Sequence, residues 1–459
     1  MYLLLFFILC GLTIAIFFLF KKDILSPSFL FSFMFTVSVL AAIIAQQFWN
    51  DVLLNWQVFL FPIIGIFCCT LGEGLVRFIF SSVDEKAKQT KSRKKAVFVP
   101  KIFHFKPIVV VGIICFLIVT LIFLIIEMSR ITGINGNIPE MINQYRSLTP
   151  LFNEFDANVS ISTILVQFTR IANVLGMISL FVIINNLICG DKIKNNIPSV
   201  IIVLLASIIM LFIAGRSCLI QYVLFGFGLS VLLYRKSKNG IKARKIERKK
   251  IVRNIIMAIV VVTPLFYLIM PLIGRTQIGG PIGYLTFYLG NPLPSMQQLI
   301  DDGRLNPGDS MGGHETFNSV RSIMGKFDTD IDYAVYQNTW AHFRPKNDDE
   351  QLLASNTFTG MKPYYADWGI IGVMICQFLF GAVFSALYLF TCRHNSRVLY
   401  LLYGMFIINI ITQVNSERLF SAISISTIAY IVYIVILVYF LLGGAALIST
   451  GKKENYAEK

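Results

Sequence analysis

The chain has 459 residues, 56% of them hydrophobic and 14% charged, with a mean hydropathy of +0.70. Soluble domains carry about 25% charged residues, so this composition excludes a soluble globular protein and points to an all-α polytopic membrane protein. The net charge of +15 does not imply nucleic-acid binding. Eighteen of the forty basic residues fall in two short stretches beside apolar runs, 84–106 and 235–253, where they act as orientation signals.

A membrane span needs about 20 mostly apolar residues. Eleven runs meet that need: 1–20, 28–47, 56–77, 107–127, 161–188, 198–214, 217–234, 254–273, 364–390, 398–414 and 420–444. The first, MYLLLFFILCGLTIAIFFLF, lacks a basic n-region and a small-residue cleavage site, and KK follows it. It reads as a retained span and not as a signal peptide. Lysine and arginine gather at 21–23, 84–106, 189–194, 235–253, 391–397 and in the tail, whereas the alternate loops are poor in lysine. Basic excess marks the cytoplasmic side, so the amino terminus is expected outside and the carboxyl terminus inside.

The expected organisation is spans 1–8 within 1–273 with a shorter outer loop at 128–160, a large outer loop at 274–363, spans 9–11 within 364–445, and a cytoplasmic tail at 446–459. Loops longer than about 12–15 residues are usually functional or disordered. The aromatic residues Tyr284, Phe287, Tyr288, Phe317, Tyr333, Tyr336, Trp340 and Phe343 predict short helices in the large loop. Eight cysteines lie in or beside apolar runs and four histidines are scattered, so no disulfide framework or metal-ligand spacing is present. The sequence holds no Walker A motif and no internal repeat.

On the outer side, arginine predominates over lysine: Arg130, Arg146, Arg216, Arg275, Arg304, Arg321 and Arg344. A guanidinium offers a rigid fork of donors suited to bidentate phosphate binding. The plain alternative is an arginine that snorkels to the headgroups. Arg216 and Arg275 stand apart, because each follows a glycine and precedes a hydroxyl residue, as GRS between two apolar runs and GRT at the end of one. Arg170 lies inside the fifth span, where a charge costs about 2.5–3.5 kcal/mol on insertion scales and needs protein or water beside it. Glu73 and Arg77 are spaced as an i,i+4 pair, which reads as structural. In GMKPYYADWGIIG, residues 360–372, Pro363 suits a first helical turn and Asp367 a position favoured by the helix dipole. Gly369, Gly372 and Gly381 permit close helix packing. Possible general bases are His314 in GGHETF, which Glu315 is placed to tune, and His342 in WAHFRP.

Four features together resemble the bacterial oligosaccharide repeat-unit polymerases of the O-antigen, Wzy type. They are DILSPSFLF after the first span, GRS at 215–217, GRT at 274–276 opening the long loop, and PYYADWGIIGVMICQFLFGAVFSALY at 363–388. The likeness covers the whole layout with few identities. It implies a GT-C-like, O-antigen ligase-like membrane glycosyltransferase fold in the bacterial inner membrane, with no cofactor and no metal. The implied substrate is a glycan on undecaprenyl pyrophosphate, transferred to the non-reducing end of an incoming lipid-linked unit. A chain-length regulator protein and membrane lipids are the implied partners, with no nucleic acid. On that reading Arg216, Arg275 and His314 are catalytic, and Arg170, Arg304, Arg321, Arg344, Tyr365 and Asp367 bind substrate. The paired arginine-glycine loops of some family members have no counterpart here. An O-antigen ligase and a lipid-linked oligosaccharide flippase stay open as alternatives.

Overall fold

The computed structural model describes residues 1–49, 52–89, 101–152, 161–214, 217–240, 280–308, 312–325, 340–346, 353–443 and 447–448. Eight helices in this set are long and apolar enough to cross a membrane, so the protein is a multi-pass membrane protein. They are α1 (Tyr2–Leu19), α2 (Pro27–Ala45), α3 (Trp56–Gln89), α4 (Pro107–Thr132), α6 (Thr163–Ile188), α7 (Ile197–Ala214), α12 (Lys362–Arg393) and α14 (Ile425–Leu442). The expected span 217–234 falls within helix α8 (Ser217–Gly240), and 398–414 overlaps the shorter α13 (Arg397–Thr412), which ends two residues earlier. The expected span 254–273, Arg216 and Arg275 lie outside the described residues. The two long loops hold α5 (Ile138–Phe152), α9 (Gly280–Gly290), α10 (Pro292–Asp301) and α11 (Asn318–Met324). A small antiparallel pair, β2 (Ala341–Phe343) with β3 (Leu353–Ser355), joins them in the larger loop. Two-residue strands β1 (His104–Phe105) and β4 (Leu447–Ile448) pair elsewhere.

The chain divides into two compact units. The first contains residues 1–95, 276–394 and 406–428. Its centre is the packing of α3 on α12, made possible by two glycines. A Cβ on Gly381 would lie 2.0 Å from the Cys69 carbonyl oxygen, and one on Gly72 would lie 2.1 Å from that of Phe378. Each helix therefore presents a glycine to the other's main chain, the close approach favoured where lipid supplies no hydrophobic drive. Gly290 of α9 meets the backbone of Ala42 in α2 in the same way. The turn into α2 is fixed by Ser26, whose hydroxyl accepts the Phe29 amide, with Pro27 at the first helical position. Ser26 also donates to Glu73 at 2.8 Å, and the Ser28 amide donates to the same carboxylate at 2.8 Å. Arg77 binds both Glu73 and Asp23, and the Tyr388 hydroxyl donates to Asp23. The DILSPS stretch is thus a clasp joining α2, α3 and α12, and the i,i+4 pair is part of it.

The second unit contains residues 96–275, 395–405 and 429–459. Helix α6 is its core: it is mostly buried, whereas α4 is mostly exposed, which leaves α4 to face lipid. Gly176 of α6 lets Ala206 of α7 and Tyr222 of α8 come close. Helix α4 ends at Gly133, whose φ of 71° closes it in the left-handed conformation. Near the end of α6, Asn186 clips the chain before α4: it accepts the Phe103 amide and donates to the Phe103 carbonyl.

Candidate functional site

Three segments of the first unit converge at the start of α12: 312–317, 360–369 and 413–421. Pro363 sits in the first turn of the helix, as its fixed φ favours. The helix is then broken at Trp368 (φ −139°, ψ 16°) and Gly369 (φ 61°, ψ −150°). The second pair of angles belongs to a region open almost only to glycine. Residues 362–367 therefore form a separate turn of helix, and the long apolar segment follows the break. Gly308 donates its amide to the Ala366 carbonyl at 2.9 Å and ties the loop to this turn.

Four side chains of that turn carry polar groups into the interior. Lys362 is 6% exposed, binds Glu315 at 2.9 Å and lies over the Phe358 ring. Tyr364 is fully buried and donates to Glu417 at 2.7 Å. Tyr365 accepts a hydrogen bond from Gln57 of α3 and packs on Phe61. Asp367 is 1% exposed and accepts the amides of Thr316 at 2.7 Å and Glu315 at 3.3 Å. Its carboxylate thus satisfies donors of a loop about fifty residues earlier, rather than serving only the dipole of its own helix.

Glu417 gathers the other side. It accepts the amides of Leu419, Phe420 and Ser421 at 2.6, 2.7 and 2.8 Å, besides the Tyr364 hydroxyl. Gln413 accepts the Arg418 amide through its side chain and the Gly360 amide through its carbonyl. Phe317 makes edge contacts with Trp368 and Phe420, closing the aromatic layer above Tyr364. The outcome is a preorganised polar turn in which the buried Asp367 and half-buried Glu417 carboxylates hold backbone, and backbone in turn displays side chains. Hydrogen bonds to charged groups contribute about 1.5–3 kcal/mol each, so the turn is well held.

The sequence-predicted residues distribute as follows. His314 is half-buried, its ring folded back against Gly312. Glu315 pairs with Lys362, so it is engaged away from the tuning role expected beside His314. Arg321 lies half-buried on α11, in the segment that Asp367 anchors. Tyr365 and Asp367 are both hydrogen-bonded to protein partners. Arg304 is exposed, bound to Asp302 and to the Trp340 carbonyl. Arg344 is exposed just after β2. Arg146 is on α5 and Arg130 pairs with Glu127 at 2.9 Å.

Arg170 belongs to the second unit. It donates to Gln167 at 3.2 Å, and Gln167 also accepts the Tyr433 hydroxyl at 2.9 Å. One turn on, Asn173 accepts the Tyr222 hydroxyl at 2.9 Å and donates to Tyr430. Positions 167, 170 and 173 line one face of α6, so the intramembrane charge sits in a continuous polar strip. The sequence reading did not single out Lys362, Tyr364, Gln413, Glu417 or Arg418. Their signal was present: Lys362 is a lysine in a lysine-poor loop, and Glu417 with Arg418 interrupts two apolar runs. Among the described residues, no group of three or more His, Cys, Asp or Glu side chains could hold a metal ion. No family model, curated protein or solved structure matches this chain.

Proposed function

We propose that the protein is an oligosaccharide repeat-unit polymerase of the bacterial inner membrane, with its amino terminus outside and its carboxyl terminus in the cytoplasm. It transfers a growing glycan from undecaprenyl pyrophosphate to the non-reducing end of an incoming lipid-linked unit at the outer face. The bond between the glycan's anomeric carbon and the pyrophosphate breaks, and a bond to the acceptor hydroxyl oxygen forms. The hydroxyl proton passes to a base, His314 in this reading, and the lipid pyrophosphate leaves. Arg216 and Arg275 stabilise the charge that develops on it, an interaction strongest in the transition state.

The observation that carries this reading is the convergence of the GGHETF turn on the PYYADWG turn through Asp367. It brings the stretch that resembles the polymerases together with the segment that carries the proposed base, at the end of a membrane-crossing helix. Eight apolar spanning helices suit a lipid-linked donor. A gel of surface polysaccharide from a deletion strain tests the reaction. A single repeat unit still attached, with the ladder lost, is the expected result. Absence of any repeat unit would instead indicate a ligase or a flippase, and an unchanged ladder would exclude all three.

A further inference from the structure

A second polar site lies in the first unit, away from the α12 turn. The end of α10, strand β2 and residues 52–53 border an open surface cleft of about 550 Å³, a volume within the range of ligand pockets. Gln298, Asp301, Asp302, Arg304 and His342 line it, with Val52 and Leu53 at its apolar edge. From this cleft we infer a glycan-binding subsite that holds sugar hydroxyls of the polymerase substrate; the assignment of the substrate rests on the function proposed above.

Its polar groups are fixed before any ligand arrives. Gln297 accepts the Asn55 amide at 2.8 Å and donates to Asp301 at 2.7 Å, which links the 52–55 segment to α10 and orients the carboxylate. Gln298 bonds the His342 backbone twice, donating to its carbonyl and accepting from its amide, both at 3.0 Å. Strand β2 is thereby docked on α10. Asp302 and the Trp340 carbonyl hold the Arg304 guanidinium. Preorganisation of this kind lowers the ordering cost of binding.

The charge balance selects the ligand. Two carboxylates face one guanidinium, which is already paired, so a phosphate or pyrophosphate is repelled. Carboxylates, an amide, a guanidinium and an imidazole around an open cleft suit neighbouring hydroxyls, each of which both donates and accepts. Position agrees with this. From Arg304 the chain reaches Gly308, bonded to Ala366, in four residues, an extended length of at most about 14 Å. A short oligosaccharide held in the cleft therefore reaches the α12 turn.

The test uses purified full-length protein in detergent and the host's own repeat unit, released from its lipid by mild acid, as probe. Saturation-transfer NMR and calorimetry should report saturable binding that inorganic pyrophosphate does not displace. Asp301→Asn and Arg304→Gln should each weaken it about tenfold, one charged hydrogen bond's worth, while the protein elutes as wild type. His342→Ala is a third variant, distant in sequence, should either of those misfold. No binding by wild-type protein, displacement by pyrophosphate, or wild-type affinity in folded variants would overturn the subsite. These outcomes are read on the isolated protein. Failure of the polymerase reading is seen separately, as a ladder that persists in the deletion strain.

Discussion

Removing the Asp367 carboxylate should release the GGHETF turn. In Asp367→Ala the amides of Thr316 and Glu315 lose their acceptor in a site that is 1% exposed. A hydrogen bond to a charged group contributes about 1.5–3 kcal/mol. The 2.7 Å bond merits the full figure, and the 3.3 Å bond a fraction of it, giving a local loss of about 2–4 kcal/mol. At 1.36 kcal/mol per factor of ten, opening of the turn becomes about 30- to 900-fold more frequent. Amide hydrogen exchange followed by mass spectrometry on peptides covering 312–317 reads this directly. Peptides from α6 serve as the internal control and should exchange as in wild type. If the 315 and 316 amides of the variant keep wild-type protection, Asp367 does not hold the turn, and its place in the site has to be rethought. Asp367→Asn keeps one acceptor oxygen and should fall between.

Three further outcomes follow, two at the same turn and one at the end of α6. Glu315→Gln takes the Glu315 carboxylate from the buried Lys362 ammonium and should cost up to about 3–5 kcal/mol, discounted because Glu315 is partly exposed. The double variant Lys362→Met with Glu315→Leu should melt closer to wild type than Glu315→Gln does in a detergent thermal-shift assay. Gly369→Ala must adopt a backbone conformation at φ 61° and ψ −150°, costing about 1–3 kcal/mol; a melting point unchanged from wild type would show that the break relaxes freely. Burial pushes the Cys189 thiol up to about 11, with the Asp191 carboxylate adding to the effect. The thiolate is the reactive form, so maleimide labelling at neutral pH should be roughly 300-fold slower than for a thiol of pKa about 8.5. It should rise about tenfold per pH unit until the pH nears that raised value, and Asp191→Asn should speed it at fixed pH.

Much of the fold was legible because apolar runs of span length have few alternatives. Spans 161–188 and 107–127 fall almost on α6 and α4. Where the boundaries moved, a side chain moved them. The last span was expected from residue 420, yet α14 starts at Ile425, because Glu417 takes the amides of 419–421 into a loop. The break at Gly369 was hidden, since a glycine in an apolar run reads equally as a packing position. The long loop was expected to hold short helices and does, but the β2–β3 pair depends on register between residues ten or more apart and left no clear pattern. At the candidate site, His314, Arg321 and Asp367 were visible as types and positions. Their relation was not, because Asp367 and Thr316 are 51 residues apart, and nothing local in either stretch announces the other.

The reciprocal glycines of α3 and α12 limit how such a sequence can drift. At Gly381 the obstructing atom is a main-chain carbonyl oxygen, and the same holds at Gly72. A side-chain clash can be relieved by trimming the neighbour, but no replacement at Cys69 or Phe378 removes a carbonyl. Pairs such as Tyr364 with Glu417 can exchange their chemistry together and keep the contact. The two glycines have no such second solution. A chain that shares this architecture while matching almost nothing else should still carry both glycines, which gives relatives a signature independent of charge, catalysis and overall identity.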